Sequence, residues 1–563
     1  MSPTGRLRTP SAPGGLAALV LLAVLALVVL PLARLAQTVA QGGREALTAM
    51  ARSPDLTATV GRTLLLAVLV TVVATPVGTA AALGLTHTTV PARRFWQVAM
   101  VLPVLLPPFV LGYSWTQAYG RAGLTDELLG LHWPALLGAP GVVVVLVVTA
   151  VPIVYVVTAA GLASGAEPDL ARAARASGAG ELTTLRTVTL PLLRPSIGAA
   201  AVLVFVVTLE SFAVPQVMGT PASFTTVTTR IYSDLALGAD PAAFTEAIAL
   251  ALLLVVLAAA VLAPADLVLA PRLRARRQGT AAAPDPPPPG SRTAGRVVAA
   301  ALAGWLLLGL ALPLLALLAA SVTRAVGLPP TPANWTLDHF RSVTGPDTLA
   351  AVGRSLLLGC TAATVLTLLG GAVAVLERRH GGRPLATVVT LTLVLPGSTV
   401  AVALLITYGR WLGGTLALIL LAYLAKLWAF AHRPLSGAVD RLPAQHVRAA
   451  RAFGAGPLTA VRTVALRPLA PALLTAWVIC LVTALHEVTM SSLLYGPGST
   501  TVAVVVLNAE ELGGIGDTAA LSVLLTLLLL VPGLLVWLLV RHLRMPSAGL
   551  RTPADAVGVH RAW

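Results

Sequence analysis

Lysine occurs once in the 563 residues, at Lys426 in the context YLAKLW. No glycine-rich turn precedes it, so the chain has no P-loop, whose lysine must reach the nucleotide phosphates. By itself it cannot be a P-loop ATPase. Cysteine occurs twice, at Cys360 and Cys480. Both lie inside apolar runs, where a small, weakly polar side chain packs and neither a disulfide nor a thiolate metal site is expected. Charged residues make up only 11% of the chain. They form no Ser/His/Asp set, no HExxH and no paired-carboxylate cluster, so no catalytic residue is assigned, and they are too sparse inside apolar runs for the proton relay of a pump. His87, His132, His339, His380, His432, His446, His542 and His560 are dispersed, and no metal site is assigned.

What the chain has in abundance is hydrocarbon. Hydrophobic residues make up 57% of it and the mean hydropathy is +0.87, so lipid must be the solvent for most of its surface. Apolar runs of about twenty residues recur, the length a helix needs to cross a core roughly 30 Å thick, and the short alternating segments of a strand barrel are missing. The runs predict an all-α integral membrane protein with about twelve spans, near 15–34, 57–84, 95–119, 140–162, 195–217, 244–269, 297–320, 351–376, 385–409, 412–431, 471–494 and 518–540. The first run lacks a small-residue cleavage site and reads as a retained span. Arginine clusters in alternate loops, such as Arg93 and Arg94, Arg272 to Arg277, and Arg378, Arg379 and Arg383. By the positive-inside rule those loops and both termini are expected on the cytoplasmic side. The net charge of +16 then faces anionic lipid and calls for no nucleic-acid partner.

The pattern is also doubled. ARAARASGAGELTTLRTVTLPLLRP, Ala171 to Pro195, returns as VRAARAFGAGPLTAVRTVALRPLAP, Val447 to Pro471. At an offset of 276 the stretches from Arg172 and Arg448 agree at sixteen of twenty-four positions. VGRTLLL at 60–66 returns as VGRSLLL at 352–358, and Val101-Leu102-Pro103 is echoed by Val394-Leu395-Pro396. The repeats predict two six-span halves in tandem: 1–270 with its loop at 167–195, and 297–545 with its loop at 443–471. A basic, proline-rich linker (271–296) joins them, and a tail (546–563) ends the chain. Each loop reads as two short helices around a turn, with alanine and arginine as helix formers, glycines Gly178 and Gly180 at the change of direction, and Pro191 and Pro195 ending the second helix at the bilayer. An arginine-studded knob with small residues suits docking into a groove of another protein.

The pattern R-A-A-R-x-x-G-A-G-x-L-x-x-x-R-T-V-x-L resembles the EAA loop of binding-protein-dependent ABC importer permeases with the MetI-like fold. Two copies in one chain resemble the fused subfamily that includes ferric-iron permeases. The resemblance implies a bacterial cytoplasmic-membrane permease that binds no cofactor itself. Its partners would be two ABC ATPase subunits, which use ATP and magnesium, and an extracytoplasmic solute-binding protein. It assigns ATPase coupling to Arg172, Ala173, Ala174, Arg175, Gly178 and Arg186, and to Arg448, Ala449, Ala450, Arg451, Gly454 and Arg462. The family's usual glutamate is replaced by Arg172 and Arg448. Acids inside spans are costly unless they face a cavity or a partner. Glu210 and Glu487, with His486 as a hydrogen-bond partner, are therefore expected to line the translocation path or to tie helices together. Segments near both acids look most like the ferric-iron branch, which makes iron(III) the expected solute, with thiamine, polyamine, aminophosphonate and oxyanions as alternatives. A twelve-span secondary transporter shares the parallel halves but has no reason to duplicate this loop.

Overall fold

The computed structural model describes residues 14–543 apart from 53–54, 166–167, 239–240, 278–291, 379–384, 386, 390–391, 443, 457–458 and 460. Most of the linker, the tail from 546, and His380, Arg379, Arg383 and His560 therefore lie outside the described residues. Eight helices are long and apolar enough to cross a membrane: Gly15–Gln41, Leu56–His87, Ala139–Ala163, Glu181–Leu209, Ala242–Ala265, Arg292–Val322, Pro346–Glu377 and Leu466–Leu485. Three bent pairs fill the third, ninth and tenth places, and an apolar helix starting at Ile515 fills the twelfth. Among the described residues the only β-pairing is an isolated bridge from Thr323 to Trp335. Both cysteines are free, with Cys480 fully buried.

Two of the three bends come from proline. The third span turns by 99° between Arg93–Leu105 and Pro108–Leu129, and the ninth by 109° before Gly397–Leu412. Pro107 (φ −59°, ψ 131°) and Pro396 (φ −58°, ψ 138°) stand in the same extended conformation at the two breaks, because a proline can start a helix but cannot continue one. Leu106-Pro107 is thus the structural counterpart of Leu395-Pro396. The sequence echo pairs Pro103 with Pro396 instead, but Pro103 lies inside a short helix before the break.

The fifth and eleventh spans differ from the hydropathy reading at both ends. The fifth helix starts at Glu181 rather than near 195 and runs without a stop into the bilayer, ending at Leu209 rather than 217. A π-turn at Leu185–Thr189 precedes Leu190–Leu209. That wider turn removes the clash of Pro191 with the carbonyl four residues earlier, and the helix also continues through Pro195. The eleventh helix repeats this, with a π-turn at Val461–Ala465 and Leu466–Leu485 in place of 471–494. Beyond each of these helices the chain forms short buried segments, Pro215–Gly219 and Val227–Tyr232 in the first half, Thr489–Leu494 and Val502–Glu511 in the second.

The halves repeat one packing plan. The second, fourth and fifth helices pack on one another, and the eighth, tenth and eleventh form the same trio. The first helix crosses over to the eighth, ninth and tenth, while the seventh crosses to the second, third and fourth. Each half therefore clasps the other, and one apolar core runs through both. Close approach inside each trio rests on glycine. A Cβ at Gly78 would stand 2.6 Å from Val154 Cβ, and one at Gly370 would stand 2.9 Å from Ala431 Cβ. Without water to drive association, small residues that let backbones touch are what hold membrane helices together.

Candidate functional site

The two copies of the arginine-studded loop have the same backbone. The first helix, Pro168–Ala176, ends on Gly178 at φ +86°, and Ala444–Ala452 ends on Gly454 at φ +85°. Gly178 N–H donates to Arg175 O (3.0 Å) and Ala179 N–H to Ala174 O (3.0 Å). Gly454 N–H likewise donates to Arg451 O (3.1 Å) and Ala455 N–H to Ala450 O (3.0 Å). This pair of bonds is the Schellman ending, which needs a left-handed residue after the helix and favours glycine there. Gly180 does not share that role: with φ −66° it opens the next helix in an ordinary extended conformation. Arg172, Ala173, Gly178 and Arg186 are exposed in the first copy, and Ala449, Arg451, Gly454 and Arg462 in the second, with Ala174, Arg175 and Ala450 half-buried. The side chain of Arg448 lies outside the described residues. Arg175 reaches Glu181 across the turn at 4.0 Å, a surface pair of small energetic weight. Phe453, where the first copy has Ser177, is 92% exposed.

At mid-depth the halves meet through charge. Glu210 follows the last residue of the fifth helix, and Lys426 closes the helix Leu416–Lys426 at the bend of the tenth span. Lys426 Nζ donates to Glu210 Oε2 and, at 2.7 Å, to Leu395 O, the carbonyl freed by the Pro396 break. The side chains are 10% and 16% exposed. Each member answers a local need. A carboxylate at a helix C-terminus opposes the helix dipole and requires a counter-charge, whereas an ammonium there is favoured.

Glu487 behaves differently. The fifth and eleventh helices end at Leu209 and Leu485, so the offset of 276 puts His486, not Glu487, opposite Glu210. One residue further on, Glu487 Oε1 accepts the Met490 N–H at 2.9 Å and starts the helix Thr489–Leu494. His486 does not bond to it, and the buried His486 Nδ1 has no hydrogen-bond partner. A second polar link runs beside them: Tyr423 and Ser491 share a hydroxyl contact at 2.8 Å, and Ser491 Oγ donates to Glu487 O. Sequence reasoning assigns Lys426 no role in the site. The signal for one is present, since a lone lysine within an apolar run demands a nearby acid.

At the end of the bundle away from the arginine loops the halves are joined by hydrogen bonds. Gln216 Nε2 donates to Glu511 Oε1 at 3.3 Å, and Tyr113 OH to Ile515 O at 3.0 Å. Burial, with the Glu511 charge beside it, raises the Glu510 carboxyl to about 7. Burial likewise lifts Asp234 to about 6, against the opposing charge of Arg230 at 3.2 Å.

The repeated VGR[TS]LLL stretch acquires a role here. Thr63 Oγ1 accepts the Val227 N–H and Ser355 Oγ accepts the Val502 N–H, each at 2.9 Å. The preceding arginines hold the approach to the same helices, Arg62 through Thr225 Oγ1 (3.3 Å) and Arg354 through Thr500 O (2.9 Å). The motif thus pins the first turn of the short helices Val227–Tyr232 and Val502–Glu511. Removing both hydroxyls, with Thr63→Val and Ser355→Ala, orphans two buried N–H groups. Thermal unfolding in detergent is expected to show a loss of about 1–3 kcal/mol for each. An unchanged melting temperature would contradict the assignment.

Comparison with known proteins bears on the whole arrangement. The family model described as "Binding-protein-dependent transport system inner membrane component" matches residues 74–274 and again 366–544. A putative 2-aminoethylphosphonate transport system permease protein of Salmonella typhimurium is 29% identical over 209 residues, 36% of this chain and 79% of the relative. The putrescine transport system permease protein of Escherichia coli K12 is 26% identical over 219 residues, covering 37% and 78%. A ferric transport system permease protein of Actinobacillus pleuropneumoniae is 29% identical over 182 residues, covering 31% and 26%. With the family model matched once in each half, on a body of two interlocked six-helix units, the chain belongs to the binding-protein-dependent inner-membrane permeases of ABC transporters, with the MetI-like fold.

Proposed function

We propose that this chain supplies the membrane pathway of an ATP-driven importer, with both halves in one polypeptide, and that its solute is iron(III). The observation that carries the reading is the arginine loop built twice with one backbone, capped by Gly178 and Gly454. Two knobs of one backbone shape at one end of a two-fold body suit two ATPase subunits. Residues Arg172 to Arg175 with Arg186, and Arg448 to Arg451 with Arg462, dock in an ATPase cleft, and Phe453 fills an apolar part of it. The loops and both termini then face the cytoplasm, and the end joined by Gln216 and Glu511 faces the solute-binding protein.

ATP and magnesium act on the ATPase subunits, and this chain supplies no catalytic group. Closure of the ATPases carries the loops together and rocks the halves so that the path opens outward; hydrolysis resets it. The difference in loop contacts between the two states is the coupling free energy. Glu210, Glu487 and His486 line the path at mid-depth.

For the solute, Glu510 and Glu511 at the outer end and the acids at mid-depth favour a cation over a phosphonate or another oxyanion. Ferric and putrescine permeases are both among the relatives, and iron(III) is the assignment adopted over polyamine and thiamine. Uptake of labelled iron(III), putrescine, thiamine and 2-aminoethylphosphonate, compared in cells with and without the gene, tests it. Iron uptake is expected to fall under iron limitation. Unchanged iron uptake with reduced entry of another of these solutes would reassign the solute and leave the permease reading in place.

A further inference from the structure

The Lys426–Glu210 pair is asymmetric in a molecule that is otherwise doubled. Loops, trios, helix ends and the VGR[TS]LLL anchors all occur twice, at offsets that hold throughout each segment. The pair occurs once. At the offset of 276, the counterpart of Lys426 is Ala150 and the counterpart of Glu210 is His486. Each half therefore contributes one member, and no equivalent pair can form on the other side of the pseudo-two-fold axis.

Its position is also unusual. Lys426 is the last residue of Leu416–Lys426, about 15 Å along the helix at 1.5 Å per residue, which is near the middle of a hydrocarbon core roughly 30 Å thick. An ion pair at that depth contributes little net stability, because both groups lose their hydration. Apolar residues of similar volume would hold the two helices together at least as well. Both partners sit at breaks in helical structure: Glu210 at the end of a span, Lys426 at a 42° bend. Lys426 also bonds to Leu395 O at the break of the ninth span. One ammonium thus joins the fifth helix of the first half to the ninth and tenth spans of the second.

We propose that Lys426 is the positioning residue of the closed path: through Glu210 it latches the halves at mid-depth, and outward opening requires this contact to part. The proposal rests on the importer reading above. When the latch parts, the Glu210 carboxylate is left without its counter-charge, so the opened site offers negative charge to a cationic solute. Closing again restores the pair and expels a competing cation.

The test uses the full chain assembled with its ATPase subunits in proteoliposomes, without binding protein. The variants are Lys426→Met, Lys426→Arg, the neutral pair Glu210→Gln with Lys426→Met, and the reversed pair Glu210→Lys with Lys426→Glu. Lys426→Met alone strands the Glu210 carboxylate and risks poor assembly, so the neutral pair, which removes the charge of both partners together, is decisive. If the contact is a latch, the neutral pair melts within a few degrees of wild type yet hydrolyses ATP without binding protein at least about five-fold faster, the lower end of ordinary coupling energies. Lys426→Arg returns to the wild-type rate, and the reversed pair, which restores the ion pair but not the bond to Leu395 O, falls between it and the neutral pair. A neutral pair that assembles and keeps the wild-type basal rate overturns the latch while leaving the importer reading intact. A wild-type chain that recruits and stimulates no ATPase overturns the importer reading and the latch with it.

Discussion

Gly178→Val combined with Gly454→Val is expected to abolish solute transport while leaving the twelve-helix body folded. Both glycines hold left-handed backbone, φ +86° and +85°, at the Schellman ending of the exposed loop helices. A side chain on an L-residue in that region costs about 1–2 kcal/mol, and more when it is β-branched. Nothing lies within 4 Å of the position a Cβ would take at either glycine, so the substitution meets no neighbour in the membrane body. The cost falls entirely on the shape of the knob. Two such losses exceed the roughly 1.4 kcal/mol that corresponds to a tenfold effect, so uptake should drop by at least about tenfold while the melting temperature stays near wild type. Asparagine tolerates this conformation, and Gly178→Asn with Gly454→Asn should retain most transport. Uptake and ATP hydrolysis measured side by side in proteoliposomes decide it; full uptake by the valine pair would sink the coupling role of the loops.

A second large effect is expected inside the membrane. At Gly78 an added Cβ would stand 2.6 Å from Val154 Cβ and 2.8 Å from Val151 O; at Gly370 it would stand 2.9 Å from both Ala431 Cβ and His432 N. Such close contacts to backbone cannot be relieved by a rotamer change, so the second and fourth helices, or the eighth and tenth, must separate. Overpacking of this kind costs about 1–3 kcal/mol and occasionally more, with no hydrophobic driving force in lipid to compensate. Gly78→Val and Gly370→Val should each lower the yield of monodisperse protein and its melting temperature by many degrees. Gly61 and Gly353 lie on the same two helices with open space around them. There, alanine should be neutral or slightly stabilising, because it only restricts the unfolded chain. Equal damage at all four positions would mean that helix propensity, not close approach, governs these spans.

Much of this molecule is legible in its sequence because a bilayer leaves few options. Apolar runs of span length must be helices, and the duplicated loop announces both the tandem halves and the turn at Gly178. The failures are local and share a cause, which is that hydropathy measures composition and not backbone geometry. It ends the second loop helix at Pro191 and Pro195, whereas the π-turn at Leu185–Thr189 lets the helix pass Pro191 and the helix continues through Pro195. It also extends the fifth span to 217, past Glu210, where the helix ends and short buried segments begin. Similar motifs make Glu210 and Glu487 look equivalent; a one-residue shift gives one a partner across the halves and the other a local backbone bond. Lys426 stands out in the sequence only for the P-loop it does not make. Tertiary pairing between residues 216 positions apart leaves no trace in any sequence window, although the expense of a buried lysine is a reason to look for an acid beside it.

If the importer reading is right, two ATPase subunits sit on one chain, one per loop. Native mass measurement of the affinity-purified complex in mild detergent reads this directly. One copy of this chain with two ATPase copies is the expected result, with loss of ATPase from the complex when both glycine turns carry valine. A chain that purifies without any ATPase, from cells in which it still moves its solute, would contradict it.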